Sequence, residues 1–145
     1  MGFLTIISTN ACSKSPEEIA IEGYMEGLFG GDLEKFVRYS SYGYALDSMG
    51  QRNLANLFVA AESTRAKMNG GYQKVRILNI IPKDGSSPSS QAIAQVCVIF
   101  GTQNLETSLE LVNLHTNQWL INTMISLEPN ISKQFEDIHH HILNP

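Results

Sequence analysis

Hydrophobic residues recur at helical spacing up to about residue 71 and alternate with polar residues after it. The first helix has a clear start, with Ser15 as N-cap, Pro16 at the first helical position and Glu18 completing a capping box. Its apolar stripe follows at intervals of three and four residues and comprises Ile21, Met25, Leu28 and Phe29. Gly30 and Gly31 then end the helix.

Two further helices are predicted before the hydrophobic pattern changes from helical spacing to alternation. Asp32 is placed to cap a short helix, whose apolar face comprises Leu33, Phe36 and Val37. A longer helix is predicted to start at Ser48, where Gln51 completes a capping box. Its predicted stripe comprises Leu54, Leu57, Phe58 and Ala61.

Alternation after Gly71 predicts about four antiparallel strands. Their expected ranges are Tyr72–Ile81, Ala92–Phe100, Leu105–His115 and Gln118–Ser126. A polar loop is expected over 83–90 and a turn at 116–117. In the second strand one face comprises Ala92, Ala94, Val96, Val98 and Phe100. Helices followed by a meander predict an α+β fold, with N-terminal helices packed on an antiparallel sheet.

A helical extension is predicted after the sheet, with Asn130 as its cap. Its stripe comprises Ile131, Phe135, Ile138 and Ile142, so it is expected to dock on the domain or on a second copy. The chain thus divides into a leader at 1–14, one domain at 15–128 and the extension at 129–145.

Composition agrees with one acidic domain. The 145 residues are 43% hydrophobic and 17% charged, which suits a single core. A net charge of -4 argues against nucleic acid as the main partner.

The segment from Phe3 to Cys12 is apolar, then small and polar, and ends at a cysteine. This order is typical of the end of a bacterial lipoprotein signal, in which the cysteine is lipidated and the preceding peptide removed. No Lys or Arg precedes the apolar run, and Thr9 stands where a leucine is usual. Two expectations follow: a lipid anchor at Cys12 in the bacterial cell envelope, facing the periplasm or exterior, or a cytoplasmic protein with Cys12 exposed.

The stretch SPEEIAIEGYMEGLFGGDLEKFVRYSS from Ser15 to Ser41, with the hairpin NLHTNQWLIN from Asn113 to Asn122, resembles small bacterial lipoproteins of unknown function. The resemblance extends from Cys12 to about Leu127. It implies a nuclear-transport-factor-2-like (cystatin-like) fold, in which a bent antiparallel sheet wraps a few helices to form a cone. It also implies that the final hairpin's tryptophan is a core residue, whereas the C-terminal helix departs from the family pattern.

Some proteins of that fold are enzymes, such as ketosteroid isomerase, which uses a Tyr donor, an Asp base and a second, protonated Asp. Tyr24 matches the first position in spacing, and Asp47 falls within one residue of the second. The strand region from Gln91 to Gly101, however, contains no Asp or Glu. Tyr24 and Asp47 are therefore weak catalytic candidates. The simpler interpretation is that Tyr24 lies in the core and Asp47 in a loop before a helix.

His139, His140 and His141 are consecutive, so on a helix their side chains point about 100° apart and cannot converge on one ion. We expect no metal site and no cofactor. Cys97 alternates with apolar neighbours and is expected to be a small buried hydrophobe.

These observations favour a non-catalytic domain that binds a protein partner or a small apolar ligand, with an isomerase or dehydratase as the alternative. An open cone would be lined by Tyr24, Phe36, Tyr39, Phe58, Phe100 and Trp119. A homodimer is also expected, through the sheet face or the C-terminal helix. The apolar positions available for it are Ile93, Cys97, Ile99, Val112 and Leu114 on the sheet, and Phe135 and Ile138 on the helix.

Overall fold

A computed structural model describes residues 13–83, 90–115 and 118–143. The predicted lipidation site Cys12, most of the predicted loop at 83–90 and the predicted turn at 116–117 lie outside these residues. The helices are α1 (Pro16–Leu28), α2 (Leu33–Tyr39), α3 (Ser41–Ser48), α4 (Arg52–Met68) and α5 (Pro129–Leu143). The strands are β1 (Tyr72–Pro82), β2 (Gln91–Phe100), β3 (Asn104–His115) and β4 (Gln118–Ile121). This order confirms the predicted α+β fold with a C-terminal helix.

The first two helix starts form as their sequences predict. Ser15 caps α1, its hydroxyl accepting from the Glu18 N–H at 3.2 Å. Gly31 follows α1 with a φ of 81°, a left-handed conformation that glycine adopts readily. Asp32 then caps α2 by accepting from the Lys35 N–H at 3.2 Å.

The start predicted at Ser48 is wrong, because an additional helix, α3, ends there. Ser40 caps α3 by accepting from the Gly43 N–H at 3.2 Å. The Ser48 hydroxyl instead donates to the Tyr44 carbonyl at 2.9 Å. The longer helix α4 begins at Arg52, and its N-cap Gln51 makes no side-chain cap hydrogen bond.

The buried face of α4 differs in part from the predicted stripe, of which Phe58 and Ala61 are partly buried. Leu54 is 42% exposed and Leu57 is 65% exposed. The residues that α4 buries are smaller or polar: Ala55, Val59, Glu62, Ser63 and Ala66. Small residues let the α4 backbone approach its neighbours closely, so packing space rather than side-chain hydrophobicity selects the buried face.

The four strands form one antiparallel sheet in the order β1-β2-β3-β4. The predicted inward face of β2 is confirmed, with Ala92, Ala94, Val96, Val98 and Phe100 all buried. The last strand is shorter than predicted, because β4 ends at Ile121. An isolated parallel bridge joins Ser40 to Ile121 and attaches the α2–α3 junction to β4.

Fully buried side chains from the helices and the sheet form a common core inside the curled sheet. The largest of them include Tyr24, Phe36, Ile21, Met25, Leu28, Leu109 and Leu111. None of the helices within the described residues combines the length and apolar character needed to cross a bilayer.

A buried carboxylate holds the segment between β4 and α5. Glu62 on α4 is 3% exposed. One of its oxygens accepts from the Leu127 N–H at 2.9 Å, and the other accepts from the Ser126 hydroxyl at 2.7 Å. Arg65, one turn further along α4, forms an ion pair with the same carboxylate. The segment leading into α5 is thereby fixed to α4.

The C-terminal helix begins one residue before the predicted cap. Asn130 is inside α5, and its N–H donates to the Glu128 side chain at 3.3 Å, so Glu128 takes the capping role. Phe135 packs against Phe58 of α4 with ring centroids 6.0 Å apart. The apolar stripe of α5 therefore contacts the domain at Phe135.

Candidate ligand-binding cleft

The aromatic pocket candidates lie in two environments. Tyr24, Phe36 and Phe100 are buried in the core. Tyr39, Phe58 and Trp119 are partly buried and pack against that core. Tyr39 and Trp119 line one common cavity of about 460 Å³.

The weak catalytic candidates have different surroundings. Tyr24 is fully buried, and its hydroxyl donates to the Thr123 carbonyl at 2.8 Å. Burial raises the pKa of Tyr24 above its ordinary value, so the phenol stays protonated. Asp47 lies within α3 and not, as expected, in a loop before a helix. Its side chain is 39% exposed and accepts from Arg52 at 3.0 Å. A buried hydroxyl bound to the backbone and a surface carboxylate bound to an arginine do not make an acid–base pair here.

The cavity is a cleft where the start of α1, the end of α2 and the start of β4 meet. It is lined by Pro16, Ile19, Arg38, Tyr39, Gln118 and Trp119. The parallel bridge between Ser40 and Ile121 brings the end of α2 beside β4 and so assembles the cleft. Aromatic and aliphatic walls of this kind are typical of small-molecule sites.

Gly23 of α1 sets the position of Tyr39. A Cβ atom at residue 23 would lie 2.2 Å from a carbon of the Tyr39 ring. The ring therefore lies directly on the helix backbone, and any side chain at residue 23 would displace it. The glycine thus supports one wall of the cleft.

Arg38 gives the cleft a positive charge. It is exposed, and among the described residues it has no ion-pair partner. Lys35, one turn earlier on α2, is paired with Glu26. A guanidinium without an internal counter-ion beside aromatic walls is suited to an anionic group on a ligand.

The face of the sheet opposite the helices carries the apolar positions named for a dimer. Cys97 is buried at 8% exposure, in agreement with the prediction for it. Ile93, Ile99 and Val112 are partly buried, and Leu114 is 46% exposed.

Across 13–83, 90–115 and 118–143, no three His, Cys, Asp or Glu residues are grouped so that they could hold a metal ion. The side chains of His139, His140 and His141 lie outside those described, although α5 includes their backbone.

Sequence reasoning named Tyr39 and Trp119 but missed Pro16, Ile19 and Arg38 as their neighbours. The sequence pattern placed Pro16 only at the first helical position, and it singled out neither Ile19 nor Arg38. The available signal was an arginine adjacent to an aromatic residue at the end of a short helix.

Comparisons with known proteins give one informative result. No protein-family model and no curated protein matches the chain. A solved structure from Campylobacter jejuni, described as a candidate NTF2-like transpeptidase, is similar with a TM-score of 0.57 at 20% identity. The match covers 77% of this chain and 100% of that one. The chain therefore has the nuclear-transport-factor-2-like fold that the resemblance implied, and at this identity the likeness concerns the fold alone.

Proposed function

We propose that this is a non-catalytic ligand-binding domain, which takes a small molecule with an apolar body and an anionic group into the cleft. The observation that carries the proposal is Arg38, without an ion-pair partner among the described residues, beside Tyr39 and Trp119 in one cavity of about 460 Å³. Small-molecule sites are typically apolar clefts of about this size with a few polar groups that fix orientation. The guanidinium supplies such a group, because it binds carboxylate, sulfonate or phosphate oxygens through paired N–H donors.

Trp119 is the only tryptophan in the chain, so its fluorescence reports directly on the cleft. We expect anilinonaphthalene sulfonate, an aromatic anion, to quench it and to bind about tenfold more weakly to the Arg38→Gln variant. Phenylnaphthylamine has the same rings without the sulfonate, and its affinity should change less than about twofold in that variant. Fluorescence titration of both probes measures the difference.

The matched control is Lys67→Gln, which removes an exposed cation on α4 that also lacks an ion-pair partner among the described residues. It should leave both affinities unchanged. Equal losses for both probes in Arg38→Gln, or an equal loss of the anionic probe in both variants, would contradict the proposal.

The isomerase or dehydratase alternative is not favoured, since it needs titratable groups that converge in the cone. Tyr24 is engaged with the Thr123 carbonyl, and Asp47 is engaged with Arg52 at the surface. The proposed location is the bacterial cell envelope, through a lipid at Cys12. It is supported by the sequence around that cysteine.

Self-association through the outer face of the sheet is a second candidate function, favoured by a row of side chains. Arg76 pairs with Cys97 across β1 and β2, and Cys97 pairs with Glu106 across β2 and β3. A two-fold axis parallel to β2 would place Arg76 of each copy opposite Glu106 of the other. Neither residue has an ion-pair partner among those described, so the row is self-complementary in charge.

Sedimentation velocity tests this arrangement with a charge exchange. Arg76→Glu and Glu106→Arg should each weaken the dimer by about tenfold, because each places like charges together twice per dimer. The double variant should restore wild-type association. Wild-type protein that stays monomeric at high concentration, or a double variant as weak as the singles, would rule this dimer out.

A further inference from the structure

Half of strand β3 has a neighbour on one side only. Its 12 residues extend over Asn104–His115. β2 pairs with it from Asn104 to Val112, whereas β4 pairs only with its end, from Leu111 to His115. The other edge of β3 is therefore uncovered by any described strand from Asn104 to Leu109, about 16 Å of strand.

The hydrogen bonds that β3 makes with its neighbours show which way the backbone N–H and C=O groups on that edge point. Asn113 donates its N–H to Ser90, on the β2 side. Glu110 faces the other way, since its N–H donates to the Thr123 hydroxyl at 2.9 Å and its carbonyl accepts from the Asn122 N–H at 2.7 Å. Backbone groups alternate in direction along a strand, and the β2–β3 register is regular.

The N–H and C=O groups of Glu106 and Ser108 consequently point away from β2. No described backbone group bonds to them. The Ser108 carbonyl accepts a long hydrogen bond from the Thr107 hydroxyl at 3.5 Å. This is a free strand edge, the element to which an extended peptide can add by main-chain hydrogen bonds.

The edge opens into a groove whose opposite wall is the segment after β4 together with α5. Two cavities of about 490 and 440 Å³ lie along it and share Ser132 and Glu136 of α5 as lining residues. Glu62 holds this wall in place through Ser126 and Leu127. The wall of the groove that lies opposite the strand is therefore held in a fixed position.

The charged residues that line the groove indicate which kind of peptide side chain it would bind. Glu106 on the strand and Glu136 on α5 line it, together with one basic residue, Lys133 of α5. None of the three has an ion-pair partner among the described residues, and the acidic residues outnumber the lysine. Glu110 also lines it but binds Lys83 at 3.5 Å. A second copy is a poor occupant, because antiparallel pairing of two β3 edges about Thr107 would place Glu106 opposite Ser108 of the other copy. The Asn104–Leu109 edge contains no lysine or arginine that could pair with the glutamates.

We propose that this groove binds an extended peptide segment carrying lysine or arginine, which adds to the Asn104–Leu109 edge of β3 as a further strand. Main-chain hydrogen bonds to Glu106 and Ser108 supply affinity, and Glu106 and Glu136 select basic side chains. The proposal concerns a different surface from the cleft and does not depend on the function proposed for it.

The test uses a fluorescein-labelled peptide of alternating lysine and threonine, and fluorescence anisotropy with the full chain. Binding should be lost when the central backbone nitrogens of the peptide are methylated, since methylation removes hydrogen bonds and leaves the charge unchanged. A glutamate–threonine peptide should not bind. Equal binding of the methylated peptide would overturn the proposal, because it would show attraction by charge alone.

Variants of the chain give matched controls. Ser108→Pro removes the outward N–H, which an edge position tolerates, and should weaken the peptide by at least about tenfold. Ser108→Ala keeps that N–H and loses only the side-chain hydrogen bond to Gln95, so it should bind like wild type. Glu136→Gln should weaken binding about two- to fivefold. Equal affinities of Ser108→Pro and Ser108→Ala would overturn the proposal.

Discussion

Glu62→Ala is expected to lower the free energy of unfolding by about 3 kcal/mol and to loosen the C-terminal helix from the domain. The substitution removes the acceptor of the Leu127 N–H and of the buried Ser126 hydroxyl. It also leaves Arg65 without its carboxylate. Denaturant unfolding measures the loss of stability. Faster hydrogen exchange at the Leu127 amide measures the loosening.

Glu62→Gln is the matched control. A glutamine keeps an oxygen that can accept from Leu127, and its amide can donate to Ser126, so we expect a loss of only about 1 kcal/mol. If Glu62→Ala cost no more than this, the carboxylate would not be holding the segment before α5. An unchanged exchange rate at the Leu127 amide would lead to the same conclusion.

This buried carboxylate is also where sequence reasoning failed most clearly. Hydrophobicity alone favours the face of α4 with Leu54 and Leu57, yet the helix buries the face with Glu62. Glu62 binds Ser126 and Leu127, which lie 64 and 65 residues further along the chain. A local sequence pattern therefore cannot predict these contacts. Periodicity identifies a helix, but the surface that it buries is selected by its neighbours.

What was predictable was local. The capping residues Ser15 and Asp32 act within four positions of themselves, and the alternation in β2 determines its own two faces. The cleft was only partly predictable. Tyr39 and Trp119 are large and aromatic and could be named, but their neighbourhood depends on the bridge from Ser40 to Ile121. A contact between residues so far apart in the chain has no sequence signature of its own.

Phe36→Ala is expected to have the largest effect on stability, a loss of about 4 kcal/mol in the free energy of unfolding. Phe36 is fully buried, and its ring centroid lies 6.1 Å from that of Tyr24. On another side it is enclosed by Gly43, where an added Cβ would lie 3.0 Å from a ring carbon. A ring held in this way leaves a cavity when it is removed, because its neighbours can relax only in part. Denaturant unfolding of the variant measures the cost.

Phe36→Leu is the size-matched control, with an expected loss of about 1.5 kcal/mol. The new cavity should also admit benzene, so adding it should raise the Tm of Phe36→Ala and leave that of wild type unchanged. A cost below about 1 kcal/mol for Phe36→Ala, or a benzene effect on wild type, would indicate that the cone already contains free space. Ligands would then have a route to the interior. With a filled cone, we expect the cleft at Trp119 to keep its affinity for the probes in folded Phe36→Ala, because Phe36 is not one of its lining residues.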